Sequence, residues 1–479
     1  MRRRRSAGDG DGDADGAKRA PTPMMNSIVD YLDDRFGSAH FVRVTLRKPF
    51  PDHWSFMLGE IALYCLVVLV LTGIFLTMFF EASTEKVVYS GPVEALQGQT
   101  VSIAYNSALQ LSFEVRAGLL MRQIHHWAAL TFVFAMCAHL LRIFFTGAFR
   151  RPRELNWVVG SVLLLLGMAA GFTGYSLPDD LLSGTGARIA YSVALSIPVV
   201  GEWLAFLVFG GAYPTKDMIP RFLVIHIMLL PGLILAAVGV HLAMVWRQKH
   251  TDHKGPGRTE GNAVGHPVWP NFAMTSIGFF FLIAAVLVFL GGLFQVNPIW
   301  KYGPYDPTVV SQPAQPDWYI GWLEGSLRLA PNWEWHVFGH TIPAPFLPGV
   351  VIPGIFFTVL MAWPWIERRI SGDRAVHNLL DRPRDLPWRT GCGMAGVTFM
   401  VVLTVAGGND VLAAVLGIPL EPFTWALRVA VWVLPVLVGY ATYRVCLGLR
   451  GREFSPVGRP ARRRFRRNRS GGFADAGAE

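Results

Sequence analysis

Hydrophobic residues in this chain come in blocks of about twenty, parted by short polar stretches; they neither alternate singly like a half-buried strand nor keep to one helical face. A helix rises about 1.5 Å per residue, so about twenty residues cross a hydrocarbon core about 30 Å thick. Eight windows meet that length, at roughly 57–80, 119–146, 156–175, 219–246, 273–295, 347–366, 391–408 and 424–447. A ninth, 192–212, is interrupted by Pro198, Gly201, Glu202 and the Gly210, Gly211 pair, so it is expected to be a surface or re-entrant helix. The pattern predicts an all-α polytopic membrane protein with eight transmembrane helices.

Composition strengthens that picture. The chain has 479 residues, 52% hydrophobic and only 16% charged, with a mean hydropathy of +0.37, so its length means one bundle rather than several soluble domains. Most of the 43 Lys and Arg fall in the N-terminal segment, the 150–155, 247–258 and 368–389 loops and the C-terminal tail. Eight spans put all of these on one side, the positive-inside signature of a cytoplasmic face, whereas a ninth span would destroy the alternation. Both termini are then cytoplasmic. The net charge of +10 follows from this topology, with anionic membrane lipids as partners for MRRRR and for RRRFRRNR at 462–469, and no nucleic acid.

The same pass divides the chain. Residues 1–25 are polar and rich in Gly and Asp, which predicts a disordered tail, and they lack the apolar core of a cleavable signal peptide. NSIVDYLDDRFG at 26–37 has amphipathic spacing, so 26–50 are expected to form a surface helix and entry; 51–250 hold four spans, 251–450 four more, and 451–479 a basic cytoplasmic tail. The cysteines, Cys65, Cys137, Cys392 and Cys446, form no CxxC or CxxCH motif, which excludes a thioredoxin-type site, a zinc ribbon and a covalently attached haem. They read as small packing residues.

Chemistry enters with the second window, RQIHHWAALTFVFAMCAHLLR at 122–142. His125 and His139 are fourteen residues apart, which separates them by about 21 Å and returns them to within about 40° on the helix. On the fourth window His226 and His241 are fifteen apart, about 22 Å and about 60°. One membrane histidine is usually a satisfied core residue, but four at two matched depths on two parallel spans mark function. Two haems fit between those levels, each iron held by one imidazole from each helix, and such saturated ligation suits electron transfer. Arg122 and Arg142 each lie three residues outside a histidine, where a guanidinium can hold haem propionates. Gly59 and Gly73, and Gly160 and Gly174, repeat the fourteen-residue interval on the first and third spans and let a flat ligand approach the backbone. The first four spans are therefore expected to form a di-haem four-helix bundle with two non-covalent b-type haems. His126, one residue short of the interval, is assigned to packing.

RQIH, HLLR, the His226 and His241 pair, GFTGYSLPDD at 171–180 and QPDWY at 315–319 together resemble cytochrome b, the membrane subunit of quinol:cytochrome c reductases, over roughly residues 40–450. DHWSFMLGE at 52–60, FFTGAFRRPRELNW at 144–157 and HTIPAP at 340–345 look most like its actinobacterial branch. The resemblance implies a bacterial cell-membrane protein with the low-potential haem on His125 and His226 near the outer face and the high-potential haem on His139 and His241 near the cytoplasm. It places quinol oxidation, with menaquinol as the expected substrate, at Pro316, Asp317, Trp318 and Tyr319. Asp317 stands where the family carries Glu as proton acceptor, and Glu324 and His340 are nearby alternatives. An inner quinone site would draw on the loop at 247–258, with His250 and Asp252 foremost beside Lys249 and His253. One electron would pass to a Rieske iron-sulfur subunit and the other through both haems, coupled to proton translocation. The implied partners are that subunit, a c-type cytochrome subunit, a terminal oxidase and a second copy of the complex. Two competing functions are a di-haem anchor of another quinone-linked dehydrogenase, in which PDWY would have no role, and a secondary transporter, which would show repeated halves.

Overall fold

The computed structural model describes residues 23–37, 42, 45–51, 53–213, 215–262, 264–309 and 315–450, with short pieces at 465–467 and 473–475. The expected disordered tail up to residue 22 lies outside the described residues, as does most of the basic tail after residue 450. A helix covers Pro23–Phe36, with Ile28, Tyr31, Leu32 and Phe36 exposed.

Among the described residues, eight helices are long and apolar enough to cross a membrane: Trp54–Thr77, Gly118–Thr146, Glu154–Tyr175, Met218–Gln248, Val268–Leu293, Leu347–Ser371, Pro387–Gly407 and Leu420–Leu449. These match the eight predicted windows. The sixth runs about a turn beyond its apolar window, through Glu367, Arg368 and Arg369, because its backbone bonding continues until Gly372 takes a φ of +69° and caps it. The interrupted ninth window is two short helices, Leu181–Leu195 and Gly201–Phe209, parted at Pro198. Neither approaches span length.

Three spans contain a π turn, at Ile225–Leu229, Val268–Phe272 and Leu347–Val351. Proline explains the first: Pro231 has no N–H to bond Ile227, and the ladder slips so that Leu230 donates to Ile225 five residues back. Such a turn takes up one extra residue. It lies at His226 and so absorbs the difference between the fifteen-residue step on the fourth span and the fourteen-residue step on the second.

The first and second spans pack side by side, as do the third and fourth, and the two pairs close into a four-helix bundle. The fifth span lies against the first and second, and the sixth against the third. The seventh packs between the eighth and the helix Trp318–Leu329, where Gly325 and Gly407 allow backbones to approach closely. One apolar core, running from Cys65 and Ala128 to Tyr319, Ala406 and Val431, joins both halves. Polar ties reinforce it. Gln123 exchanges two hydrogen bonds with the Val296 backbone, at 3.0 and 2.7 Å, and the Trp157 indole donates to Leu360 O at 2.7 Å.

At the His139 end, Arg389 is almost fully buried and pairs with Glu367 and, at 3.1 Å, with Asp381, which Arg150 also meets at 3.0 Å. Each charge in this cluster has a counter-charge, as burial in a low dielectric requires.

Candidate functional site

The second and fourth spans bring their histidines ring to ring at two levels. The His125 and His226 ring centroids are 6.2 Å apart and the His139 and His241 centroids 6.4 Å, with interplanar angles of 69° and 74°. A metal–imidazole bond is about 2 Å, so two such bonds on a shared ion, plus half of each ring, come to about 6 Å. Both gaps match an iron held between two imidazoles.

Each of the four glycines faces one of these histidines. A Cβ on Gly59 would lie 3.1 Å from His139 Cε1, on Gly73 3.4 Å from His125 Cε1, on Gly160 3.6 Å from His241 Cε1, and on Gly174 2.5 Å from His226 Cε1. Each therefore leaves space beside one histidine. Next to two of them are residues that sequence reasoning missed. Thr72 Oγ1 lies 2.9 Å from His125 Nδ1; His226 Nδ1 lies 2.9 Å from Ala170 O and 3.3 Å from Thr173 Oγ1. These bonds occupy Nδ1, as supporting partners of metal-bound imidazoles do, and leave Nε2 as the nitrogen a metal would take. The Thr-Gly pair at 72–73 and again at 173–174 was the available signal.

The two arginines fit the same group. Arg122 Nη2 donates to Asn297 O at 2.6 Å, while its Nη1, and both Nε and Nη2 of Arg142, are buried with no hydrogen-bond partner among the described residues. A buried guanidinium N–H without an acceptor is costly, and the carboxylates of a haem would supply the acceptors. Beside His139 and His241 is a cavity of about 580 Å³, also lined by Gly59, Gly160 and Arg142. The residues present suit a pair of haems.

QPDWY leads into the helix Trp318–Leu329, and here the assignment of His126 to packing is corrected. His126 Nε2 is bonded to Asp317 Oδ1 at 2.9 Å, and the Tyr319 hydroxyl donates to Asp317 Oδ2, also at 2.9 Å. Asp317 is thus gripped on both oxygens, within one residue of a candidate iron ligand. Gly171 leaves room for the buried Tyr319 hydroxyl, and Trp318 is partly exposed beside Phe134. Pro316 precedes Asp317 at the entry to the helix.

Glu324 is engaged elsewhere, pairing with Arg328, which also holds Asp410 at 2.9 Å. Burial pushes the Glu324 carboxyl up, and Arg328 pulls it back down. His340 is exposed on the hairpin formed by Trp335–Val337 and His340–Ile342, outside this cluster.

The candidates after the fourth span separate in the same way. His250 lines the cavity, meets Phe50 at a tilt with centroids 4.2 Å apart, and has no hydrogen-bond partner for Nε2 among the described residues. Burial, then Lys48, Arg153 and Arg142, lower its pKa to about 4. Asp252 instead pairs with Arg258 at 3.2 Å and caps His253 N at 2.8 Å, and His253 meets His53 at a tilt with centroids 4.2 Å apart. Lys249, at a φ of +65°, also borders the cavity. Across it from His250 is a group that hydropathy concealed within the first span: Glu60 accepts from the Tyr64 hydroxyl at 2.6 Å and from Ser276 Oγ at 3.0 Å.

Known proteins resemble this chain over most of its length. A family model described as cytochrome b(N-terminal)/b6/petB matches residues 130–304. The cytochrome bc1 complex cytochrome b subunit of Mycobacterium tuberculosis (strain ATCC 25618 / H37Rv) is 54% identical over 419 residues, 87% of this chain and 76% of that one. Its counterpart in Streptomyces coelicolor (strain ATCC BAA-471 / A3(2) / M145) is 47% identical over 443 residues, 92% of this chain and 81% of that one. A solved chain described as hyperthermophilic respiratory Complex III superposes with a TM-score of 0.62 at 19% identity, covering 87% of this chain and all of that one, a likeness in fold. With eight such helices and relatives of this identity over most of its length, the chain belongs to the cytochrome b subunits of cytochrome bc1 complexes, multi-pass membrane proteins of respiratory electron transport.

Proposed function

We propose that this chain oxidises quinol, menaquinol foremost, at Asp317 and Tyr319 and reduces quinone beside His250, with electrons crossing between the two histidine levels. The observation that carries this reading is the pair of matched imidazole gaps, 6.2 and 6.4 Å. When bound, two b-type haems would supply one-electron transfer between the levels. His125 and His226 would hold one and His139 and His241 the other. Arg122 and Arg142 would hold the propionates, and Gly59, Gly73, Gly160 and Gly174 keep the space beside the rings.

At the first site Asp317 is the proton acceptor, in hydrogen-bond reach of a quinol hydroxyl docked beside Tyr319. His126 and Tyr319 orient its two oxygens, and Trp318 and Pro316 shape the wall. Of each quinol's two electrons, one goes to a Rieske iron-sulfur partner and thence to a c-type cytochrome partner, the other to the His125 level. At the second site His250, with Glu60 and Tyr64 opposite, binds the quinone that is reduced. Asp252 braces that loop through Arg258 rather than touching quinone. The distribution of basic residues supports a bacterial plasma-membrane location with both termini cytoplasmic, so that protons leave at the outer face and enter at the inner. The complex would be a dimer, with a terminal oxidase as an onward partner.

A reduced-minus-oxidised spectrum of the purified complex tests the reading. Two b-type components are expected, and His139→Leu should remove one and leave the other. A wild-type spectrum without b-type bands, or a variant spectrum equal to wild type, overturns it.

A further inference from the structure

Asp180 has no part in the assignments above, yet its side chain has no exposed surface. It closes the LPDD turn after the third span. Its Oδ2 accepts from Leu182 N at 3.3 Å, and Ser183 completes a capping box that starts the helix Leu181–Leu195. The turn is fixed to the segment after the fifth span: Leu181 N donates to Gly303 O at 2.9 Å and Tyr305 N to Asp179 O at 3.0 Å.

Asp180 Oδ1, by contrast, has no partner among the described residues, and neither has Arg122 Nη1 or Asn297 Oδ1. A buried carboxylate and, three residues from His125, a buried guanidinium thus each have a hydrogen bond unmade, and each feels the charge of the other. Burial pushes the Asp180 carboxyl up to about 6, against the pull of the Ser183 hydrogen bond and the Arg122 charge. The other groups that feel its charge are phenols: Tyr105 on the helix Ile103–Phe113, Tyr175 at the end of the third span, and Tyr302 on the turn Ile299–Tyr302. Its neighbour Asp179 is bonded to Ser102 and faces Lys86.

We propose that Asp180 is a redox-linked proton site: coupled through Arg122 to the haem held by His125 and His226, it takes up one proton when that haem is reduced and releases it when the haem is oxidised. The inference rests on the haem reading above. One electron, delivered from quinol, reduces the iron, and one proton converts the Asp180 carboxylate to the neutral acid; reoxidation returns both. The cause is electrostatic. Arg122 serves both the propionate side and Asp180, and one more negative charge in a low-dielectric space favours the neutral carboxyl.

Because the reduced state binds the proton more tightly, the reduction equilibrium of that haem weakens as pH rises through the window around 6. The limit is tenfold per pH unit, 59 mV for one electron. Potentiometric titration of both b-type bands in the purified complex, from pH 5 to 8.5, should show this slope for one component. Asp180→Asn, which keeps an oxygen for the helix cap, should lose at least half of it, while the other component keeps its wild-type dependence. Ser183→Ala breaks the capping box but leaves the carboxylate, and should retain the slope. Redox-difference infrared spectra of wild-type complex labelled with carboxyl-¹³C aspartate read the same event without substitution, as an isotope-shifted protonated-carboxyl band that grows on reduction. An unchanged slope in Asp180→Asn, a slope lost in Ser183→Ala, or absence of the infrared band overturns the proposal. Loss of the b-type bands from wild type would instead remove the haem assignment on which it stands.

Discussion

Asp317 is bonded at 2.9 Å on each carboxylate oxygen, by a histidine 191 positions earlier in the chain and by the tyrosine two positions later. Two well-aligned bonds pin a short side chain that sequence alone leaves free to point anywhere. If Asp317 takes the quinol proton, Asp317→Asn preserves shape and one acceptor but removes the base. Quinol-driven cytochrome c reduction should then fall about 10²- to 10⁴-fold, with both b-type bands intact, and Asp317→Glu should recover most of it. An Asn variant with wild-type turnover would move the proton acceptor elsewhere. At the same scale Glu324 is set aside by its pairing with Arg328, whose guanidinium it shares with Asp410.

Between elements, the clearest relation is that of glycine on one span to histidine on its neighbour. The four approaches are not equal: a Cβ would meet its histidine ring at 2.5 Å on Gly174 but only at 3.6 Å on Gly160. The first is a distance that real Cβ atoms do not adopt, the second ordinary van der Waals contact. Gly174→Ala should therefore displace His226 and lower haem content at that level, whereas Gly160→Ala should leave both b-type components near wild-type amplitude. Haem-to-protein ratio by pyridine haemochrome decides it; equal effects from the two substitutions would contradict the geometry. The π turn at Ile225–Leu229 belongs to the same relation. It takes up the extra residue between His226 and His241, so both rings meet partners set one residue closer together on the second span.

Across the whole molecule, the loop from His250 to Arg258 sits where both halves of the chain meet, with Asp252–His253 paired in parallel to Leu379–Leu380. Burial holds the His250 ring neutral, its pKa lowered from 6.5 to about 4. The unfolded chain then binds more protons between those values, so the His250 contribution to stability is whole above pH 6.5 and is lost as pH falls toward 4. Asp180 and Glu324, both pushed up, work in the opposite direction, so the test is a difference. His250→Asn should gain stability relative to wild type as pH falls from 6.5 to 4.5, read as thermal unfolding midpoints in detergent. Parallel curves for the two proteins would show that His250 is not held neutral.

The sequence by itself determined the eight spans, since the bilayer sets a length and a polarity that each window satisfies on its own. It also picked out the four histidines, the two arginines and the glycines as candidates, because helical periodicity turns spacing within one span into depth and facing. Only the tertiary structure decided what faces what across long separations. The grip of His126 on Asp317, the reach of Thr72 to His125 and the pull of the Arg122 charge on Asp180 each join elements far apart in the chain. Periodicity within a span carries no information about the register of one helix against another. That register is set by packing, by small residues at close crossings and by the π turn at His226, and it brings the candidate ligands of separate spans ring to ring.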